Sequence, residues 1–196
     1  MAALRNFLKR TKLEGIINMY TKEELRKVIR GYRRSLSQEE SAIKSIAILN
    51  KLFETEQYKN AECIYCYIDF RNEVKTMPLI RKALKDGKRV AAPKITNKQM
   101  EFYYITGYSD LKEGTFGILE PFDCELANET DALMIMPGIA FDRGNHRIGF
   151  GGGYYDKYLE RENTHFKIAL AYHFQIFSQI PFESHDICPD MILTDL

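Results

Sequence analysis

The sequence predicts an α/β fold: three layers, α/β/α, around a mostly parallel central sheet. Three observations predict it. Short apolar runs alternate along the chain with segments of helical period, the pattern that feeds a parallel sheet covered on both faces. A glycine-rich stretch lies between one such run and the helical segment that follows it. No internal repeat and no linker-like segment divides the 196 residues, a length that suits one domain.

The elements follow in order. Thr21 and Glu24 form a capping-box pair, and Leu25, Val28, Ile29 and Tyr32 follow at helical spacing. Ser37 and Glu40 repeat the signal and open a second helix, with Ile43, Ile46, Ala47 and Phe53 expected inward. Glu62 to Ile68 reads as a buried strand, followed by the polar loop Asp69 to Glu73. Pro78 begins a helix with Leu79, Ile80, Ala83 and Leu84 inward, stopped by Gly87. Lys88 to Ala92 is expected as a strand ended by Pro93, and Met100 to Ile105 as one side of a hairpin-like addition. Residues 107 to 130, rich in glycine and poor in period, read as a long surface excursion. Ala132 to Met136 is an apolar run that leads through Pro137 and Gly138 into a polar loop. Lys167 to Tyr172 is a further strand, a short helix is expected near Phe174 to Gln179, and Met191 to Thr194 closes the chain as a strand. Residues 1–18 are basic without the apolar core of a secretory signal. They are set aside as an extension or cloning remnant, expected to be poorly ordered, leaving 19–196 as a single α/β domain.

Composition excludes several classes of function. Hydrophobic residues make up 45% and charged residues 28%, with a formal net charge of +1. Such a balance provides no strong field for nucleic acid or an anionic membrane. No apolar run approaches the ~20 residues of a membrane-spanning helix. Cys63 and Cys66 make a Cys-x-x-Cys pair, but they sit inside the apolar run Glu62 to Ile68, and no second pair completes a zinc site. The four cysteines are expected reduced, and the protein cytoplasmic. The four histidines form no spaced cluster, and none is assigned a catalytic or metal role.

The stretch that carries chemistry is Arg147-Ile148-Gly149-Phe150-Gly151-Gly152-Gly153-Tyr154-Tyr155-Asp156. Strand, glycine-rich loop, helix is the layout that offers bare backbone N–H groups to a phosphate. There is no Gly-Lys-Ser/Thr, so it is no Walker A loop, and Tyr154 stands where a GxGxxG motif needs its third glycine. Arg147 can neutralise phosphate at the mouth of the loop. Asp156, in the first helical turn, can hold a cation that bridges phosphates. Phe150 and Tyr154 can flank a flat ring by stacking, or can simply pack in the core.

The run Pro137-Gly138-x-Ala140-Phe141-Asp142, together with Arg147-x-Gly149-x-Gly151-Gly152-Gly153-Tyr154-Tyr155-Asp156-x-x-Leu159, resembles the 5-formyltetrahydrofolate cyclo-ligase (5,10-methenyltetrahydrofolate synthetase) family. Phe150 replaces a Tyr or basic residue often found there, and Gly152 stands where some members carry Lys. The resemblance implies an enzyme that uses ATP and Mg²⁺ to close the ring of 5-formyltetrahydrofolate. The γ-phosphoryl group would pass to the formyl oxygen, N10 would attack the activated carbon, and phosphate would leave, giving 5,10-methenyltetrahydrofolate and ADP. It implies that Lys22, Arg26, Arg147, Gly149, Phe150, Gly151, Gly152, Gly153, Tyr154 and Tyr155 bind nucleotide, with Arg147 also catalytic. Glu73, in the context Glu73-Val74-x-Thr76, would bind folate, with Ile68, Phe150 and Tyr154 as apolar or stacking walls. Asp156 and Asp190 would hold Mg²⁺, with Asp186 close enough to compete with Asp190. Arg30, Arg33 and Arg34 keep the reading of an ordinary solvated face. A reduced folate is the implied partner, with no nucleic acid, no membrane and a monomeric chain. The rival reading is a non-catalytic nucleotide-binding regulatory protein that kept the loop; a sugar-phosphate isomerase on a similar scaffold would need no ATP.

Overall fold

The computed structural model describes residues 20–114 and 117–196; the expected extension over 1–18 lies outside them. Two helices open the described chain, α1 (Lys22–Ser35) and α2 (Gln38–Glu54), and both begin with complete capping boxes at Thr21/Glu24 and Ser37/Glu40. A short α3 (Glu56–Asn60) leads into β1 (Cys63–Cys66). Then come α4 (Met77–Lys85), β2 (Arg89–Thr96) and β3 (Gln99–Ile105). After two short strands, β4 (Leu111–Glu113) and β5 (Leu119–Pro121), the chain forms β6 (Leu133–Met136), β7 (Ala140–Asp142) and β8 (Arg147–Ile148). It ends with α5 (Tyr154–Arg161), β9 (Phe166–Leu170), β10 (Ile176–Phe177) and β11 (Met191–Leu193).

The central sheet has six strands in the order β11-β9-β6-β1-β2-β3, and every pairing in it is parallel except that of β3. Alternation along each strand divides the core. Ile64, Cys66, Leu133, Ile135, Ile168 and Leu170 face one side, where they meet Ile48, Leu49 and Leu52 of α2 and Leu79, Ile80 and Ala83 of α4. Tyr65, Met134 and Met136 face the other, against Tyr158 and Leu159 of α5. A period of two on the sheet and near four on the helices is what a covered parallel sheet requires. A second sheet, β10-β7-β8, packs on Leu25 and Ile29 of α1, so α1 and the segment bearing Arg147 share one apolar cluster.

Several expectations are corrected. Ile43 and Ile46 of α2 are exposed, and the inward stripe is Ser41, Ser45, Ile48, Leu49 and Leu52. The two serines face inward because a buried phenol needs partners: the Tyr172 hydroxyl lies 2.9 Å from Ser41 Oγ and 3.0 Å from the Glu73 carbonyl that accepts from it. Pro93 does not end β2; it pairs with Phe102 on β3, beyond the last β1 partner of β2. Its missing N–H costs little on an unpaired side. The turn between β2 and β3 is Asn97-Lys98, both left-handed with φ of 53° and 63°, the type I′ geometry that suits a two-residue hairpin. The excursion from 107 to 130 contains the β4–β5 hairpin. The expected helix near 174 to 179 is a 3₁₀ turn, His173–Gln175, followed by β10. The β7–β8 hairpin was not expected at all.

Removing the Tyr172 hydroxyl tests this account. Tyr172→Phe leaves Ser41 and the Glu73 carbonyl without that partner and is expected to cost about 1–3 kcal/mol, read as a lower urea midpoint with an unchanged slope.

Candidate functional site

The glycine-rich loop is held from both ends. Upstream, the Asp142 carboxylate accepts from the amides of Gly144 (2.9 Å), His146 (3.0 Å) and Ile180 (3.0 Å), which fixes the β7–β8 turn. That hairpin pairs Phe141 with Arg147, so the side chain of Arg147 starts from a fixed backbone. Downstream, Gly153 caps α5 with φ of 64°, and among the described residues no side chain caps the helix. The first N–H groups of α5 therefore keep no side-chain partner, the condition for anion binding at a helix start. Gly151 has φ of 105°, a conformation that excludes ordinary side chains. A Cβ on Gly152 would come within 2.8 Å of the Tyr154 ring.

Charged groups frame this loop. Arg26 Nε donates to the Gly149 carbonyl at 2.9 Å. Arg147 Nη2 meets Asp156 Oδ1 at 2.6 Å, and the Ile187 amide donates to the same oxygen at 3.2 Å. Arg147 is nearly buried while Asp156 is a quarter exposed. Lys22 Nζ lies 2.7 Å from Asp186 and 2.8 Å from Glu183. Desolvation works against the Lys22 cation, but the hydrogen bonds to Asp186 and Glu183 outweigh it and raise its pKa. Desolvation likewise works against the Asp186 carboxylate, and Lys22 and the Glu183 amide overcome it and lower its pKa.

The opposite wall is the loop after β1. Glu73 is buried, and its Oε1 lies 2.9 Å from Arg33 Nη2 while its Oε2 accepts from the Phe70 amide at 2.9 Å. Arg33 was expected on a solvated face, yet its side chain is only 5% exposed. Burial lowers its pKa to about 10, with the Tyr67 and Tyr172 phenols acting in the other direction, so it remains a cation at neutral pH. The sequence did carry a signal. Leu25, Ile29 and Arg33 are spaced by four residues, which puts Arg33 on the apolar stripe of α1.

Between these walls runs an open cleft of about 1790 Å³, lined by Lys22, Arg26, Arg33, Ile68, Glu73, Arg147, the whole of Gly149 to Gly153, and Tyr154, Tyr155, Asp156 and Asp186. Phe150 is 46% exposed, and Ile68 is buried at the end of the β1 run. The Tyr155 hydroxyl is buried without a hydrogen-bond partner among the described residues, and burial pushes its phenol up. Asp190 does not line the cleft. Its carboxylate binds the Lys167 amide at 2.7 Å and Lys167 Nζ at 2.9 Å, ahead of β11. The carboxylate that reaches the cleft from this segment is that of Asp186, between His185 and Ile187, which also line it. Among the described residues, no group of three or more His, Cys, Asp or Glu side chains could hold a metal ion, and no helix is long and apolar enough to cross a membrane. All four cysteines are free.

A mostly parallel sheet, a bare glycine loop before a helix and a cleft walled by paired ions define an α/β protein with a site of small-molecule size at the glycine loop. Residues 18–195 match the model of the 5-formyltetrahydrofolate cyclo-ligase family, and the chain belongs to that family. The mouse 5-formyltetrahydrofolate cyclo-ligase is 30% identical over 187 residues, spanning 88% of this chain and 92% of its own. The Haemophilus influenzae 5-formyltetrahydrofolate cyclo-ligase is 32% identical over 184 residues, spanning 87% and 96%. The solved structure of the Aquifex aeolicus 5,10-methenyltetrahydrofolate synthetase superposes with a TM-score of 0.80 at 34% identity, over 89% of each chain.

Arg147 is the residue most exposed to test. Arg147→Ala is expected to lower turnover on the order of 10²–10³-fold, the scale for losing one aimed charge-stabilising donor. Far-UV circular dichroism and the melting profile are expected to stay native-like.

Proposed function

We propose that the protein catalyses ATP- and Mg²⁺-dependent cyclisation of 5-formyltetrahydrofolate to 5,10-methenyltetrahydrofolate, with release of ADP and phosphate. One observation carries the reading: the uncapped, glycine-lined start of α5, flanked by Arg147 and Arg26, shares its cleft with the buried carboxylate of Glu73. The first wall suits a polyphosphate and the second a flat, hydrogen-bond-donating ring. Family membership supports the same reaction.

The residues fit the groups this reaction needs. Backbone N–H groups at Gly151 to Gly153 would cradle phosphate oxygens, and a Cβ at Gly152 would collide with the Tyr154 ring. Arg147 and Arg26 would neutralise the phosphates, with Lys22 at the rim. Asp156 would contribute one carboxylate to Mg²⁺, which takes its remaining ligands from phosphate and water. That ion supplies charge neutralisation on the transferred phosphoryl group. Asp186 is better placed than Asp190 to assist, because Asp190 is committed to Lys167. Glu73 has one lone pair on each oxygen left over after Arg33 and Phe70, enough to accept two N–H groups from an aminopyrimidinone edge. Ile68, Phe150 and Tyr154 would wall the ring.

The chemistry then asks for alignment. The formyl oxygen becomes a leaving group by accepting the γ-phosphoryl group as its bond to ADP breaks, N10 forms the new C–N bond and gives up its proton to the phosphate, and the C–O bond breaks as phosphate departs. Arg147 stabilises charge on the phosphoryl oxygens throughout. No side chain needs to become covalently attached, and positioning supplies much of the acceleration. The free, largely buried thiols accord with a reducing compartment, and we place the protein in the cytoplasm as a monomer of one domain.

The test is the absorbance of the methenyl product formed from 5-formyltetrahydrofolate. Product is expected with ATP and Mg²⁺ together and to fall to background when either is withheld or EDTA is added. Nucleotide binding without any product would favour the regulatory reading, and product without ATP would reject both. Gly151→Ala is expected to raise the KM for ATP about tenfold or more, because its φ of 105° forces an ordinary side chain to distort the cradle.

A further inference from the structure

We propose that Arg33 is a positioning residue for the substrate: it holds the Glu73 carboxylate aimed into the cleft, so that the folate ring meets an acceptor already in place. The inference rests on the cyclo-ligase reading of the cleft and extends it to a residue that does no phosphate chemistry.

Five observations carry it. Arg33 is buried on α1 and yet lines the cleft, so its charge is withdrawn from water beside the ligand space. Its fork is divided: Nη2 meets Glu73 Oε1 at 2.9 Å while Nε donates to the Asn72 carbonyl at 3.2 Å. A lysine ammonium cannot serve two acceptors in that planar arrangement. The loop answers in kind, since Asn72 Nδ2 donates to the Arg33 carbonyl at 2.8 Å. Arg71 and Asn72 are both left-handed, with φ of 47° and 56°, a backbone that persists only where its surroundings fix it. Finally, the Phe150 ring lies 5.5 Å over the Arg33 guanidinium, closing the glycine loop over the pair.

The pair leaves Glu73 little freedom. Its backbone carbonyl is fixed by the Tyr172 hydroxyl and its Oε2 by the Phe70 amide. The remaining degree of freedom is rotation of the carboxylate, and the Arg33 contact to Oε1 restrains it. A plain stabilising ion pair would look the same at rest but would respond differently to substitution.

The experiment is steady-state kinetics on Arg33→Gln, Arg33→Lys, Glu73→Gln and the double variant Arg33→Gln/Glu73→Gln, with 5-formyltetrahydrofolate and ATP varied in turn. Wild-type turnover is measured first; absence of ATP-dependent product rejects the cyclo-ligase reading itself. Given wild-type turnover, Arg33→Gln is expected to raise the KM for 5-formyltetrahydrofolate about tenfold or more, with the KM for ATP within about twofold. Arg33→Lys is expected to recover part of that loss. The double variant is expected to be no worse towards folate than Glu73→Gln alone, because Arg33 acts through Glu73. A folate KM within about twofold of wild type in Arg33→Gln overturns the inference, as do effects that multiply in the double variant or an equal rise in the KM for ATP. Should Arg33→Gln not fold, Arg33→Lys carries the same criteria: a selective rise in folate KM supports the inference and an unchanged one overturns it.

Discussion

A carboxylate taken out of water needs a cation or several donors in its place, and the Glu73 carboxylate has both. Arg33 supplies the cation and the Phe70 amide supplies a donor. Breaking one partner of such a buried pair strands the other, a cost of several kcal/mol, so the pair constrains everything attached to it. Attached to it are the last turn of α1, the loop after β1 and, through Phe150, the glycine-rich loop. The cleft keeps its width because its walls are joined at this point by charge. Packing alone would leave more freedom, since α1 rests on the small sheet while the Glu73 loop rises from the large one.

The two sheets explain how distant segments reach one cleft. Parallel strands send their following loops to one edge, which is where ligands collect in this class of fold. The run ending at Ile68 delivers the Glu73 loop there, and the β6 run delivers Pro137. The chain then detours through β7 and β8 before it enters the glycine loop. That detour turns Arg147 inward on an antiparallel hairpin whose turn is fixed by Asp142. The serines of α2 serve the same end from below. Ser41 meets the Tyr172 hydroxyl, and Ser45 Oγ accepts from the Lys75 amide at 3.0 Å, so the Glu73 loop sits on a satisfied polar network within an otherwise apolar face.

Local chemistry was legible in the sequence, and long-range pairing was not. The glycine loop, Arg147 and Asp156 lie within ten residues of one another, so spacing alone placed them together. Capping boxes fixed the starts of α1 and α2 for the same reason. Arg33 and Glu73 are forty positions apart, and nothing in the text of the chain joins them. Position four residues beyond Ile29 marked Arg33 as inward, but a charged side chain is ordinarily taken as solvated. The face of α2 was lost to the converse error. Ile43 and Ile46 were read as core because they are apolar, whereas Ser41 and Ser45 occupy it because Tyr172 and the Lys75 amide require oxygen there. The resemblance assigns Asp190 to Mg²⁺, and the sequence carries no sign of the Lys167 amide and ammonium that engage it.

Two buried arginines line the cleft, and the exposure of their partners separates their uses. Glu73 is 9% exposed at its side chain and Asp156 is 25% exposed. A ligand arriving from solvent can compete for Asp156, and with it for the outer guanidinium edge of Arg147, at modest cost because water already reaches that carboxylate. It cannot compete for Arg33 without opening a pair whose two sides are both withdrawn from water. The Arg147 pair is therefore suited to exchange, and the Arg33 pair to permanence. In the proposed reaction this matches need: charge develops and disappears at the phosphoryl group, so its partners must adjust, whereas the ring that presents the formyl group must not move. The same side-chain chemistry, an arginine facing a carboxylate, thus supports a labile wall and a fixed wall within one cleft.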